Sequence, residues 1–218
     1  MRKDAPVTES SPSRAVERLA FFSDAVFAIA ITLLALDIRG PETLSSNTNA
    51  ALLEAMRALG PTIAAYVLSF AVIAQFWMAH HRSFRAIERV DGRLVGINLA
   101  FLGFVALVPF PTSVLARHGD LSAAPVVYAL FMIGLAALST LLWVYAALVA
   151  GLVAPAVSPD VARRVGYRAA VVPLVFVASI PIALISPFAA EVAWLLIFPV
   201  QAVVSRQFGL ERFLSGKP

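Results

Sequence analysis

Six mainly apolar runs, each bounded by a short polar or charged stretch, organise the chain from about residue 18 to residue 205. A lipid-spanning helix needs about 20 such residues, so the pattern predicts helices over residues 18–38, 61–81, 94–115, 125–153, 169–186 and 191–205. Gly40-Pro41 terminates the first. A polar link with Ser45, Ser46, Asn47 and Asn49 leads through an amphipathic stretch to Pro61, a favoured first-turn residue. Pro109 and Pro111 should loosen the last turns of the third helix. The fourth has residues to spare for tilt. The loop after it holds Pro155, Pro159 and Asp160 and carries Arg163, Arg164 and Arg168. Pro173, Pro181 and Pro199 fall inside the fifth and sixth, where neighbouring helices satisfy freed carbonyls. The expected architecture is an all-α integral membrane protein of six transmembrane helices. A disordered tail (residues 1–17) precedes it and a short polar tail (206–218) follows.

Composition agrees: 60% of the 218 residues are hydrophobic and 14% charged, with mean hydropathy +0.85. That excludes a soluble domain. The chain has no Cys, which removes disulfides, thiolate nucleophiles and Cys-based metal sites. The N-terminal tail lacks the apolar core and cleavage site of a signal peptide, so the first helix is expected to persist. A net charge of +4 would suit nucleic acid, but its placement argues otherwise. All but Arg39, Arg57 and Arg117 of the 17 lysines and arginines lie at the two ends and in the connectors after helices two and four. The positive-inside rule then puts both termini in the cytoplasm of a cell-membrane protein, as an even number of helices requires.

The first helix carries Asp24 inside its first two turns and Asp37 at its far end. An ionised group in a spanning helix costs at least about 2.5 kcal/mol, so Asp24 calls for a partner. Ile29, Leu33 and Leu36 fall on one face, with Phe22 and Val26 continuing the line and Thr32 beside it. Two readings stay open for that stripe, packing against a neighbouring helix or the wall of a pore. By depth, Asp24, Trp77, His80, His81 and Asn98 share roughly the inner third of the bilayer, as an interhelical hydrogen-bond network requires. Adjacent His80 and His81 point about 100° apart, poor geometry for one metal ion, and His118 belongs to the opposite side, so no metal or cofactor is expected. Asp24 and Asp37 lie about 20 Å apart along one helix, too far to act as a catalytic pair. No G-x-S-x-G, H-E-x-x-H or T-V-G-Y-G occurs. The chain reads as a non-enzyme, either a channel or a proton-coupled small-molecule carrier with Asp24 as the titrating group. A non-conducting scaffold is a third class.

Arg18-x-x-x-Phe22-Ser23-Asp24, followed by an Ala/Ile/Thr/Leu-rich helix, resembles the R-x-x-x-F-S-D signature of the transmembrane protein 175 family of potassium channels. Phe76-Trp77-Met-Ala-His80-His81-Arg-Ser-Phe84, and the third helix with Asn98 and Pro109-Phe-Pro111-Thr112, resemble the same family. The resemblance implies a homotetramer in the lipid bilayer, with the first helix of each subunit lining the pore and no carbonyl-ring filter. Carried over from the signature, Ile29, Leu33 and Leu36 would form hydrophobic constrictions, with Thr32 a polar pore-facing neighbour and Asp37 at the outer mouth. Arg18, Phe22, Ser23, Asp24, Trp77, His80, His81 and Asn98 would clamp helix one to helices two and three without touching ions. The implied function is passive K+ conduction with modest selectivity over Na+, with proton permeability known among related channels. Ala28 stands where some animal members carry Ser.

Overall fold

Ser13 sets the start of the first helix in the computed structural model, which describes residues 13–41 and 43–207. Its side chain accepts a hydrogen bond from the Val16 N–H, and α1 runs Arg14–Ala35. The helix therefore starts before the expected residue 18, because a side-chain cap and the acidic Glu17 in the first turn stabilise the N-terminal end. It ends in a turn at Leu36 and Asp37, ahead of Gly40-Pro41. Residues 14–17, expected in a disordered tail, are helical. The rest of that tail lies outside the described residues, as does the C-terminal tail beyond Gln207.

Thr48 caps α2 (Asn49–Ala58), and Pro61 sits in the first turn of α3 (Gly60–Ala86), so the amphipathic lead-in and the second apolar run form one span. α3 continues past the expected end at residue 81. Asp91 caps α4 (Gly92–Leu107), and the chain then breaks at Val108 before α5 (Pro109–His118). The prolines explain the break: Pro109 has no N–H to return to the preceding turn. The Val108 N–H closes a tighter bond to the Val105 carbonyl at 3.2 Å. The hydroxyl of Thr112 donates to the Val108 carbonyl at 2.9 Å, so the kink is satisfied from within.

α6 (Ala123–Val144) widens into a π-helical segment, Tyr145–Val149, in place of the continuous helix expected to residue 153. Gly151, at φ 58°, turns the chain in a conformation that suits glycine. Ile87 and Val153 then pair in an antiparallel bridge that ties the ends of the second and fourth spans. α7 (Pro159–Ile185) begins ten residues before the expected position, because Ser158-Pro159-Asp160 is a helix start: cap, first-position proline and first-turn acid. Arg163, Arg164 and Arg168 accordingly lie on this helix and not in a loop. The sixth span is two helices, α8 (Pro187–Trp194) and α9 (Ile197–Gln207), parted at Leu195-Leu196, where Pro199 withholds the N–H that would bond Leu195.

The described residues thus hold six spans long and apolar enough to cross a bilayer, and no strand. The protein is a multi-pass, all-helical membrane protein. Its main core joins Phe27 of α1, Ile73 and Phe76 of α3, Phe101 and Val105 of α4, and Tyr128 and Met132 of α6 to Phe176 and Trp194. α1 packs on α3 and α4 at one side of this core, which leaves its other face uncovered.

Candidate functional site: the two faces of α1

The uncovered and covered faces of α1 divide by helical period. Val16, Ser23, Phe27, Ala30 and Leu34 are buried against the rest of the chain. Ile29, Leu33 and Leu36 point away from it, 59%, 41% and 66% exposed. Phe22 joins them on the open side, whereas Val26 is half-buried and packs on the core, so the line seen in the sequence bends there. Within the subunit the stripe is not a packing face. Thr32 is exposed beside it, and its hydroxyl donates to the Ile29 carbonyl at 2.8 Å. What it shows outward is therefore an oxygen acceptor and a methyl group.

The covered face is fixed by two polar branches. In the inner one, Asn98 of α4 donates through Nδ2 to Ser23 Oγ at 3.1 Å, and Ser23 donates to the Leu19 carbonyl at 2.8 Å. His80 Nε2 lies 2.9 Å from Asn98 Oδ1. An amide oxygen only accepts, so the His80 proton sits on Nε2 and the chain runs in one direction, His80 to Asn98 to Ser23 to the backbone. Ser23, His80 and Asn98 are buried, where unpaired polar groups would be costly.

The second branch is closer to the surface. Trp77 of α3 donates its indole N–H to Asp24 Oδ1 at 2.8 Å, and its ring stacks on His81 at 5.4 Å. Asp24 is half-buried. The single level of polar side chains expected from the sequence is thus two separate contacts. Arg18 is exposed and makes no hydrogen bond or ion pair among the described residues; with Phe22 it borders a shallow cleft against Val90 and Val95. At the other end, Asp37 approaches Arg117 of α5 at 3.8 Å, a surface-type pair of small energetic weight.

Three aromatic residues surround His80: Phe84, which ends the α3 motif, and Phe27 and Phe101, which no motif signals. The His80 ring stacks on Phe84 at 4.2 Å and on Phe101 at 5.7 Å, and Phe27 closes the third side at 5.8 Å. Phe84 follows His80 by four residues, Phe27 follows Ser23 by four and Phe101 follows Asn98 by three, spacings that put each aromatic on the face of its polar partner. A further hydroxyl cluster joins α5, α3 and α6: with the Thr112 proton on the Val108 carbonyl, Ser69 donates to Thr112 Oγ1 at 2.8 Å and accepts from the Tyr128 hydroxyl at 3.1 Å. Of its three members only Thr112 stands in a sequence motif. Among the described residues no three metal-binding side chains converge.

Comparison with known proteins places this arrangement. The family model for the endosomal/lysosomal potassium channel TMEM175 matches residues 18–109, the helices that carry both polar branches. A potassium channel of Streptomyces collinus is 39% identical over 175 residues, 78% of this chain and 82% of that protein. The human endosomal/lysosomal proton channel TMEM175 is 39% identical over 110 residues, 47% of this chain and 22% of that protein. The crystal structure of a lysosomal potassium-selective channel TMEM175 homolog from Chamaesiphon minutus superposes with a TM-score of 0.73 at 28% identity, covering 89% of this chain and 98% of that one. Similar in sequence to the Streptomyces collinus channel along most of its length, and to the Chamaesiphon minutus structure in the packing of its helices, the chain belongs to the TMEM175 family.

Proposed function

We propose that four copies of this chain form a passive, potassium-permeable channel in the cell membrane, with α1 of each lining the central path. The observation that carries this reading is the division of α1. One face is held by Asn98, His80 and Trp77, while the opposite face leaves Ile29, Leu33 and Leu36 exposed among the described residues. Facing one another around an axis, these side chains would make hydrophobic rings narrow enough that an ion sheds part of its water. Potassium holds its water less strongly than sodium and is favoured, modestly, without dedicated ligands. Thr32 is the polar neighbour of the rings, and Asp37 concentrates cations at the outer mouth. Ser23, Asp24, Trp77, His80, His81 and Asn98 hold the helix without touching ions, and Arg18 and Phe22 belong to the same signature. Both termini lie in the cytoplasm, on the side where lysine and arginine are concentrated.

The competing reading is a proton-coupled carrier that titrates Asp24. The indole bond to Asp24 favours a clamp over a transport group. The deciding experiment is ion flux in liposomes under opposed potassium and sodium gradients, with wild type and Ile29→Ala side by side. Passive potassium flux, altered in size or selectivity by the substitution, is the expected result. No passive flux from either protein, together with proton-driven uptake that Asp24→Asn abolishes, would overturn it in favour of the carrier.

A further inference from the structure

A second polar feature lies away from α1, between α3, α6, α7 and α9. Arg82, in the last turns of α3, and Arg168, in the third turn of α7, line one cavity there with Gln75, Ser139 and Gln201. It leaves about 50 Å³ in which the centre of a water-sized group fits. That is room for roughly three or four waters, or one tetrahedral oxyanion with its oxygens.

Among the described residues the cavity is lined by two cations and by no acidic side chain. Arg82 makes no hydrogen bond or ion pair among the described residues, and Arg168 makes one, from Nε to Ser205 Oγ at 2.6 Å, leaving both of its terminal nitrogens uncommitted. Both side chains are half-buried, and each lies within electrostatic reach of the other. Two like charges drawn out of water toward each other are unfavourable unless an anion sits between them.

The remaining groups narrow the chemistry. Ser83 and Thr140 spend their hydroxyl protons on the Ala79 and Ala136 carbonyls. Gln75 donates to Gln201 Oε1, which leaves the Gln201 amide N–H groups free, and the Ser139 hydroxyl is uncommitted. The cavity thus offers two guanidinium forks, a hydroxyl and an amide, a donor set suited to an oxyanion with several acceptor oxygens. Arg82 lies four residues before the end of α3 and Arg168 nine residues after the start of α7, so the cavity sits toward one bilayer surface, where basic pockets between helices meet lipid head groups.

We propose that this cavity is a phosphate-binding site, held by Arg82 and Arg168 with Ser139 and Gln201, that takes the phosphate of an anionic lipid head group or free phosphate. The site is built inside one subunit and does not depend on the pore, so binding is read without ion flux. The test uses purified full-length protein in neutral detergent, by thermal unfolding and native mass spectrometry. One arm adds phosphatidylglycerol, with phosphatidylcholine as control. The other adds inorganic phosphate, with chloride at matched ionic strength.

Phosphatidylglycerol or phosphate should raise the melting temperature of wild type above its control, and the arm that does so identifies the source. In Arg82→Gln and Arg168→Gln the affinity should fall about tenfold or more. Should those variants fail to fold, Arg168→Lys keeps the charge but loses the fork, and Ser139→Ala removes one donor; both should bind more weakly than wild type. Equal shifts in wild type and all folded variants, or no shift with either phosphate source, would overturn the proposal.

Discussion

The indole N–H of Trp77 lies 2.8 Å from Oδ1 of Asp24, and this one bond ties the carboxylate of α1 to α3. Trp77→Phe keeps a ring to stack on His81 but deletes the donor. The loss should be about 1.5–3 kcal/mol, the range for a hydrogen bond to a charged group. Thermal unfolding in detergent reads it, and a variant as stable as wild type would contradict the clamp. Asp24→Asn keeps an acceptor oxygen and should melt between wild type and Asp24→Ala.

Asn98 links His80 to Ser23, and replacing it strands the His80 N–H inside a box of aromatic rings. Asn98→Leu should cost about 1–3 kcal/mol for that orphaned donor alone. Adding His80→Phe removes the stranded group. The double variant should therefore lose less than the two single losses summed, with a coupling above about 0.5 kcal/mol. Additive losses in the melting data would argue that the two side chains act independently.

Gly134 of α6 lets the ring of Phe104 from α4 approach so closely that an added Cβ would stand 2.7 Å from Cε1. Phe104 in turn packs on Phe131 at 5.0 Å, which restricts its retreat. Gly134→Ala should destabilise by about 1–3 kcal/mol, as overpacking does. Phe104→Leu in the same chain should restore part of the loss, and an unchanged melting temperature in Gly134→Ala would show that the ring gives way.

Thr32 satisfies its own hydroxyl proton on the Ile29 carbonyl, inside α1. Thr32→Val should therefore leave stability within about 0.5 kcal/mol of wild type. It replaces an outward oxygen with a methyl beside the proposed rings, so potassium flux in liposomes should fall. Intact flux would remove Thr32 from the conduction path.

Asp91 caps α4 outside the membrane spans, and its carboxylate is held below the usual carboxylate range by the Tyr145 hydroxyl first and the Leu94 N–H second. A depressed folded value favours the charged form in the native state. Its contribution is present above the ordinary carboxylate value of about 3.9 and is lost as pH falls through the lower folded value. The melting difference between wild type and Asp91→Asn should be constant from neutral pH down to about pH 5 and shrink below about pH 4. Tyr145→Phe should show a smaller difference with the same profile. A gap that widens on acidification would reverse the sign argued for Asp91.

The hydropathy pattern by itself determined that the chain spans a membrane six times, because spanning length and apolarity are properties of contiguous residues. Counting along each helix also put Asp24, Trp77, His80 and Asn98 at one depth, but not which of them bond; docking pairs Trp77 with Asp24 and His80 with Asn98 in separate contacts. Helix starts were misplaced where polar caps extend a helix beyond its greasy run, at Ser13 and at Ser158-Pro159-Asp160. Counting along one helix also left open which face of α1 is covered. Packing against α3 and α4 decided that, burying Phe27, Ala30 and Leu34 and leaving Ile29, Leu33 and Leu36 open. The aromatic box around His80 and the approach of Arg82 to Arg168 across α3 and α7 are likewise tertiary. Residues 86 positions apart meet only when the helices that carry them have docked.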